Sequence, residues 1–256
     1  MSASKKRVVY TRIITEPFML IMYIISSLIV LIVTLNYLEI IFSYLNLSKS
    51  LAIIFAIGIS ILSLLFSPVN IIIKRKERKK LIEIGEDRIV YVFGIPIYFP
   101  SLRIEEKFFT YIAINVGGAL IPLLLSFILI YFCFISTFYN IIKLLIDVFF
   151  ISLISKIFSK VVPTAGVAMN PLIPPLFSII FTYLLFSDNI FLIPLASYIS
   201  SVSGTILGAD ILNLKKVMEE GAILISIGGM GTFDGIYISA IFSLLLSFLL
   251  IPLPKT

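Results

Sequence analysis

Long apolar stretches separated by short polar ones run through the whole chain, and their lengths predict membrane-crossing helices. The stretches cover residues 18–42, 50–73, 109–134, 138–159, a segment that begins within 161–175 and ends near Leu185, then 191–212 and 222–252. A helix crosses a bilayer with roughly 20 apolar residues, and most of these stretches reach that length. The first is longer than the apolar core of a signal peptide, and no small-residue cleavage site follows it, so it reads as a retained helix. The expected fold is therefore all-α: a polytopic transmembrane helix bundle of about seven spans, forming a single domain over residues 1–256.

The interruptions refine this picture. Pro68 in FSPVNIII predicts a bend near the end of the second helix. Residues 74–108 are the one sizeable polar segment, a basic run KRKERKK at 74–80 followed by RIVYVFGIPIYFPSLRI. Its β-branched and aromatic residues, broken by Gly94, Pro96 and Pro100, predict a short β-like cytoplasmic hairpin between helices two and three. Lys143 and Asp147 are spaced to pair along one face of the fourth helix. Asp188 and Asn189 predict a tight turn, with Asp188 a loop residue.

Charge sets an orientation. The net charge is +6, and the basic residues fall in the connecting segments, as the positive-inside rule expects. Lys5, Lys6, Arg7 and Arg12, the 74–80 run, Lys156 with Lys160, and Lys215 with Lys216 all fall on one side under this count. A multi-pass protein of the cell membrane follows, its amino terminus cytoplasmic and its carboxyl terminus outside. Its expected partners are membrane lipids, and the basic residues so placed give no reason to expect nucleic acid.

Composition narrows the chemistry. Hydrophobic residues make up 60% of the chain and charged ones 13%, too apolar and too poorly charged for an ordinary soluble domain. There is no histidine, and Cys133 is the single cysteine. That removes histidine-dependent zinc and Ser–His mechanisms and any intrachain disulfide. No metal or cofactor is expected.

Ionisable residues inside a membrane are expensive and mark functional sites by default. Asp210 and Asp234 are the two that stand out, each embedded among glycines: Gly204 and Gly208 before the first, Gly228, Gly229, Gly231 and Gly235 around the second. Glycines permit both close helix contact and local unwinding. Asn70, Asn115, Asn170, Asn213 and Thr232 are the further polar residues expected to line such a site. Two close carboxylates can share one proton and act as acid and base on a water. They can equally carry a proton or cation during transport of a small solute or ion. A non-catalytic binding or assembly role is the third reading, and the residues alone leave all three open.

SPVNI at 67–71, INVGGALIPLLLS at 114–126, NPLIPPL at 170–176, GADILNL at 208–214 and GGMGTFDGIYI at 228–238 resemble the motifs of the DUF1614 family. That resemblance implies an archaeal or bacterial multispanning membrane protein of uncharacterised function, and it extends from about residue 50 onwards. A more distant likeness is to the intramembrane aspartyl proteases, which pair an aspartate in one helix with a Gly-x-Gly-Asp aspartate in another. It implies catalytic roles for Asp210 and Asp234 on a transmembrane peptide. Gly231 matches the first glycine of that motif; Phe233 stands at the second, and Leu207 and Ala209 flank Gly208 before the other aspartate.

Overall fold

The computed structural model describes residues 8–10, scattered positions from 21 to 42, and residues 47–250 apart from 85–87, 93–94, 100–101, 135–136 and 164–165. The reading of Lys5, Lys6, Arg7 and Arg12, and of the chain beyond Leu250, falls outside these residues. So do Gly94 and Pro100 of the expected hairpin.

The all-α expectation is wrong. Helices dominate, but a four-stranded mixed sheet and two short two-stranded ribbons are built into the fold. In chain order the strands are β1 (Val8–Tyr10), β2 (Val69–Ile84), β3 (Arg88–Val92), β4 (Ile95–Phe99), β5 (Leu102–Asn115), β6 (Lys160–Val162), β7 (Gly166–Ala168) and β8 (Leu224–Ile227). The helices are α1 (Lys49–Leu65), α2 (Ile121–Leu129), α3 (Phe138–Phe158), α4 (Ile173–Leu185), α5 (Ile193–Thr205), α6 (Leu214–Glu219) and α7 (Gly235–Leu250). The expectation of about seven spans is overturned with it. Among the described residues, two helices are long and apolar enough to cross a membrane, Val116–Phe134 and Ile190–Glu219.

The sheet replaces what reads as the ends of apolar helices. The second helix stops at Leu65, and Val69 opens a strand that runs through the basic segment to Ile84. The third does not begin at residue 109, because β5 continues to Asn115. β2 and β5 pair antiparallel from Asn70↔Asn115 to Ile84↔Leu102, with an irregularity between Ile72 and Lys74. β-Branched residues at Val69, Ile71, Ile72 and Ile73, and at Thr110, Ile112 and Ile114, favour the pleated form. Along the ribbon, Arg75 lies 3.5 Å over the Phe109 ring and Lys107 meets Glu77 at 3.2 Å. β3 and β4 pair antiparallel as a separate two-stranded ribbon, Arg88↔Phe99 to Val92↔Ile95. β1 completes one edge beside β2.

The last long apolar stretch is also divided. Leu224–Ile227 adds to β5 as a parallel strand, Tyr111↔Leu224 to Ile114↔Ile227. Two residues with left-handed backbone, Gly228 (φ +70°) and Gly231 (φ +64°), then turn the chain into α7. The sixth stretch, by contrast, stays helical beyond Leu212 through two irregular turns into α6.

α5 is the axis of the helical part, with Ser203 its one residue that is not buried. A helix covered all round must be surrounded by other helices, and α3, α4 and α7 pack against it. Gly204 and Gly208 let α3 approach: a Cβ on Gly204 would meet Ile151, and one on Gly208 would run into the Ser152 carbonyl. Ser200, Gly204 and Gly208 thus form the small-residue stripe by which helices pack closely in lipid.

Candidate functional site

The sheet meets the helices at a buried polar knot. Asn70 and Asn115, register partners on β2 and β5, are both 0% exposed. Asn115 donates to the Ser67 carbonyl at 2.7 Å and to Asn70 Oδ1 at 3.1 Å, and its Oδ1 accepts from the Gly118 N–H at 2.8 Å. Ser226 on β8 donates to the same Asn70 Oδ1 at 2.6 Å. The Thr232 N–H donates to Ser67 Oγ at 3.1 Å. A buried polar group left unpaired is costly, and here the asparagine amides pin three chain segments that are far apart in sequence.

Glycines make the knot possible. A Cβ on Gly117 would collide with the Ser63 carbonyl, one on Gly118 with the Gly228 and Gly231 carbonyls, and one on Gly231 with Ser67 Oγ. Gly229 folds back so closely that its N–H donates to the Ser226 carbonyl at 3.1 Å. The left-handed turns at Gly228 and Gly231 are open to glycine without strain.

Asp234 follows this turn and caps α7. Its extended backbone (φ −70°, ψ 150°) precedes the helix, and its carboxylate accepts from the Ile236 N–H at 3.0 Å and the Met230 N–H at 3.3 Å. A carboxylate at a helix N-terminus satisfies donors that the helix leaves free. Asp210 ends the π-turn Ile206–Asp210 that follows α5. No hydrogen bond joins the two carboxyl groups. π-Turns within helices are enriched at functional positions.

The expected site residues therefore divide. Asn70, Asn115, Gly229, Gly231 and Thr232 meet in one knot, with Asp234 on its border, while Asp210 lies outside it at the end of the turn after α5. Gly235 opens α7 with nothing near its Cα face. Gly208 instead serves the contact of α5 with α3. Asn213 is held by Lys156, by Ser159 Oγ at 2.7 Å and by the Ala209 carbonyl at 2.8 Å, locking the end of α3 to the turn after α5. Asn170 is exposed, and its side chain accepts from the Leu172 N–H at 3.0 Å just before α4.

Two features escape the sequence reading. Ser67, within SPVNI, is a hub of the knot, a role that nothing in its local pattern signals. The expected Lys143–Asp147 pair does not form: Lys143 bonds Asp188 at 2.6 Å. That contact holds the Asp188 carboxyl below its ordinary range. Asp147 is left buried inside the bundle.

Among protein families, the one described as a protein of unknown function, DUF1614, has a model that matches residues 64–246. Those residues contain the knot, both acids and all the helices from α2 to α6. No curated protein and no solved structure matches the chain.

Proposed function

The chain belongs to the DUF1614 family, and we propose that it is a membrane protein that handles protons, with Asp210 and Asp234 holding one proton between them in coupled transport. The observation that carries this reading is the placement of two carboxyl groups at interrupted backbone of apolar helices, Asp210 at the end of a π-turn and Asp234 between left-handed glycines and the start of α7. Neighbouring carboxylates resist double ionisation, so a proton taken up by one is held by the pair. The backbone around them is interrupted, by a π-turn before Asp210 and by left-handed glycines before Asp234. Interrupted helices beside charged groups are how many transporters build ion sites.

Aspartyl protease chemistry is the less supported alternative. It asks both carboxyls to grip one water. Here they share no hydrogen bond, and both oxygens of Asp234 already accept from backbone N–H groups.

Reconstitution into liposomes with an internal pH-sensitive dye tests the proposal. Under an imposed proton gradient, or one of candidate ions, the protein should relax the internal pH faster than empty vesicles. Asp210→Asn and Asp234→Asn should each lower that rate by about tenfold or more, the order of a lost ionisable group in a proton path. Wild-type vesicles as tight as empty ones under every gradient would remove the proposal. Cleavage of a transmembrane reporter peptide that both variants abolish would replace it with the protease reading.

A further inference from the structure

Asp147 stands apart from the Asp210–Asp234 region. It lies midway along α3 and is 0% exposed, and neither carboxyl oxygen meets a donor in hydrogen-bonding geometry. Ser200 of α5 is the polar side chain that acts on it. The Ser200 hydroxyl is 2.8 Å from Ser178 Oγ on α4, and Ser178 donates to the Ser197 carbonyl at 2.8 Å. Ser197 in turn lies 2.8 Å from Ser247 on α7. Serine hydroxyls of α4, α5 and α7 thus follow one another across the bundle beyond Asp147, joined in part through the Ser197 carbonyl. The neighbouring Ser201 hydroxyl is also buried and has no partner.

A carboxylate so placed needs either a counter-cation or a proton. The natural counter-cation is Lys143, one turn earlier on the same helix. Its ammonium is instead drawn out to Asp188, over the Tyr139 ring at 4.4 Å and the Phe186 ring at 5.4 Å. Lys143 is itself 7% exposed, so both residues point into the protein. The other titratable groups on elements packed against α3 are Tyr183 on α4, Tyr198 on α5, Asp210 on the following turn, and Tyr131 and Cys133 before α3. Lys156 and Tyr139 share α3 itself. None of these is hydrogen-bonded to Asp147.

We propose that Asp147 is a proton-binding site, separate from the Asp210–Asp234 pair, whose proton is exchanged against the ammonium of Lys143. In the arrangement seen, the carboxyl carries the proton and Lys143 serves Asp188. On release, the O–H bond breaks, its electron pair stays on the carboxylate, and the proton passes to water. Lys143 then turns inward to the new charge. Asp188, whose side chain is 56% exposed, is left to solvent, which hydrates it. Charge inside the bundle stays balanced in both states. The exchange couples protonation in the interior to an ion pair that ties α3 to the loop between α4 and α5.

Infrared spectroscopy of the full chain in lipid nanodiscs tests this without reference to transport. At neutral pH the wild type should show a protonated-carboxyl C=O band that Asp147→Asn removes and Ser200→Ala shifts. Asp188→Asn takes away the outer partner of Lys143, so the band should titrate at least tenfold more easily, a midpoint about one pH unit lower. The proposal is overturned if Asp147→Asn and Ser200→Ala both leave the band unchanged. It is overturned equally if Asp188→Asn does not move the midpoint, or if sodium at constant pH converts the band to carboxylate. Loss of proton flux in the Asp210 or Asp234 variants would not alter this band, so the two proposals fail separately.

Discussion

At Gly208 a single methyl group would meet the Ser152 carbonyl, whereas at Gly58, within α1, it would meet nothing within 4 Å. The same substitution therefore has opposite signs at the two positions. Gly208→Ala forces α3 and α5 apart and should destabilise the protein by about 1–3 kcal/mol, the range of overpacking. Gly58→Ala should be neutral or stabilising by up to about 1 kcal/mol, because alanine favours the helix. Thermal unfolding in detergent checks both. Equal effects would mean that the close α3–α5 contact is not what Gly208 provides. In the sequence Gly208 reads as a neighbour of Asp210, but the close approach it permits is between α5 and α3. Asn70 and Asn115 are also legible as polar residues of an apolar chain, though as the lining of an acid site rather than facing partners in a sheet.

Between elements, polar contacts decide how segments join. Lys143 links α3 to the loop after α4 through Asp188. The folded protein holds the Asp188 carboxyl below its ordinary value of 3.8, so the unfolded chain takes up this proton more readily. The bridge thus contributes stability above that value and loses it as the pH falls through the lower, folded value. The thermal midpoint of wild type should exceed that of Asp188→Asn at neutral pH, with the gap closing as the pH is lowered below 3.8. The difference should be small, since Asp188 is largely exposed and solvent screens the pair. A gap that persists at the acid end would assign the effect to something other than this carboxylate. The spacing of Lys143 and Asp147 was visible along the helix, but helical spacing only offers a pairing. A second acid on a neighbouring loop took the lysine.

For the whole molecule, the question is how the apolar sequence is distributed between lipid and interior. Among the described residues, two helices meet the length and hydropathy of a span. Large exposed apolar side chains occur along α1, α3 and α4, among them Ile54, Phe149 and Leu184. Apolar surface on that scale needs a covering, and lipid is the solvent that the composition fits. The protein should remain with membranes after an alkaline carbonate wash and be released by detergent. Recovery in the soluble fraction after carbonate would end the membrane reading.

Apolar content, the scarcity of charge and the absence of histidine were properties of the sequence alone, because they do not depend on how the chain folds. The helical cores at 138–158 and 173–185 were equally plain, since mostly apolar runs longer than an ordinary strand have few other solutions. The sheet was not. Val69–Ile73, Thr110–Asn115 and Leu224–Ile227 are short apolar runs next to helices, and hydropathy cannot separate a buried strand from one more helical turn. Their β-branched residues were the available signal. What made them strands was pairing with one another across distant parts of the chain. Tertiary structure likewise decided that Asp234 caps α7 and that Asp147 stands without its lysine, because burial and partners are set by packing, not by position in the chain.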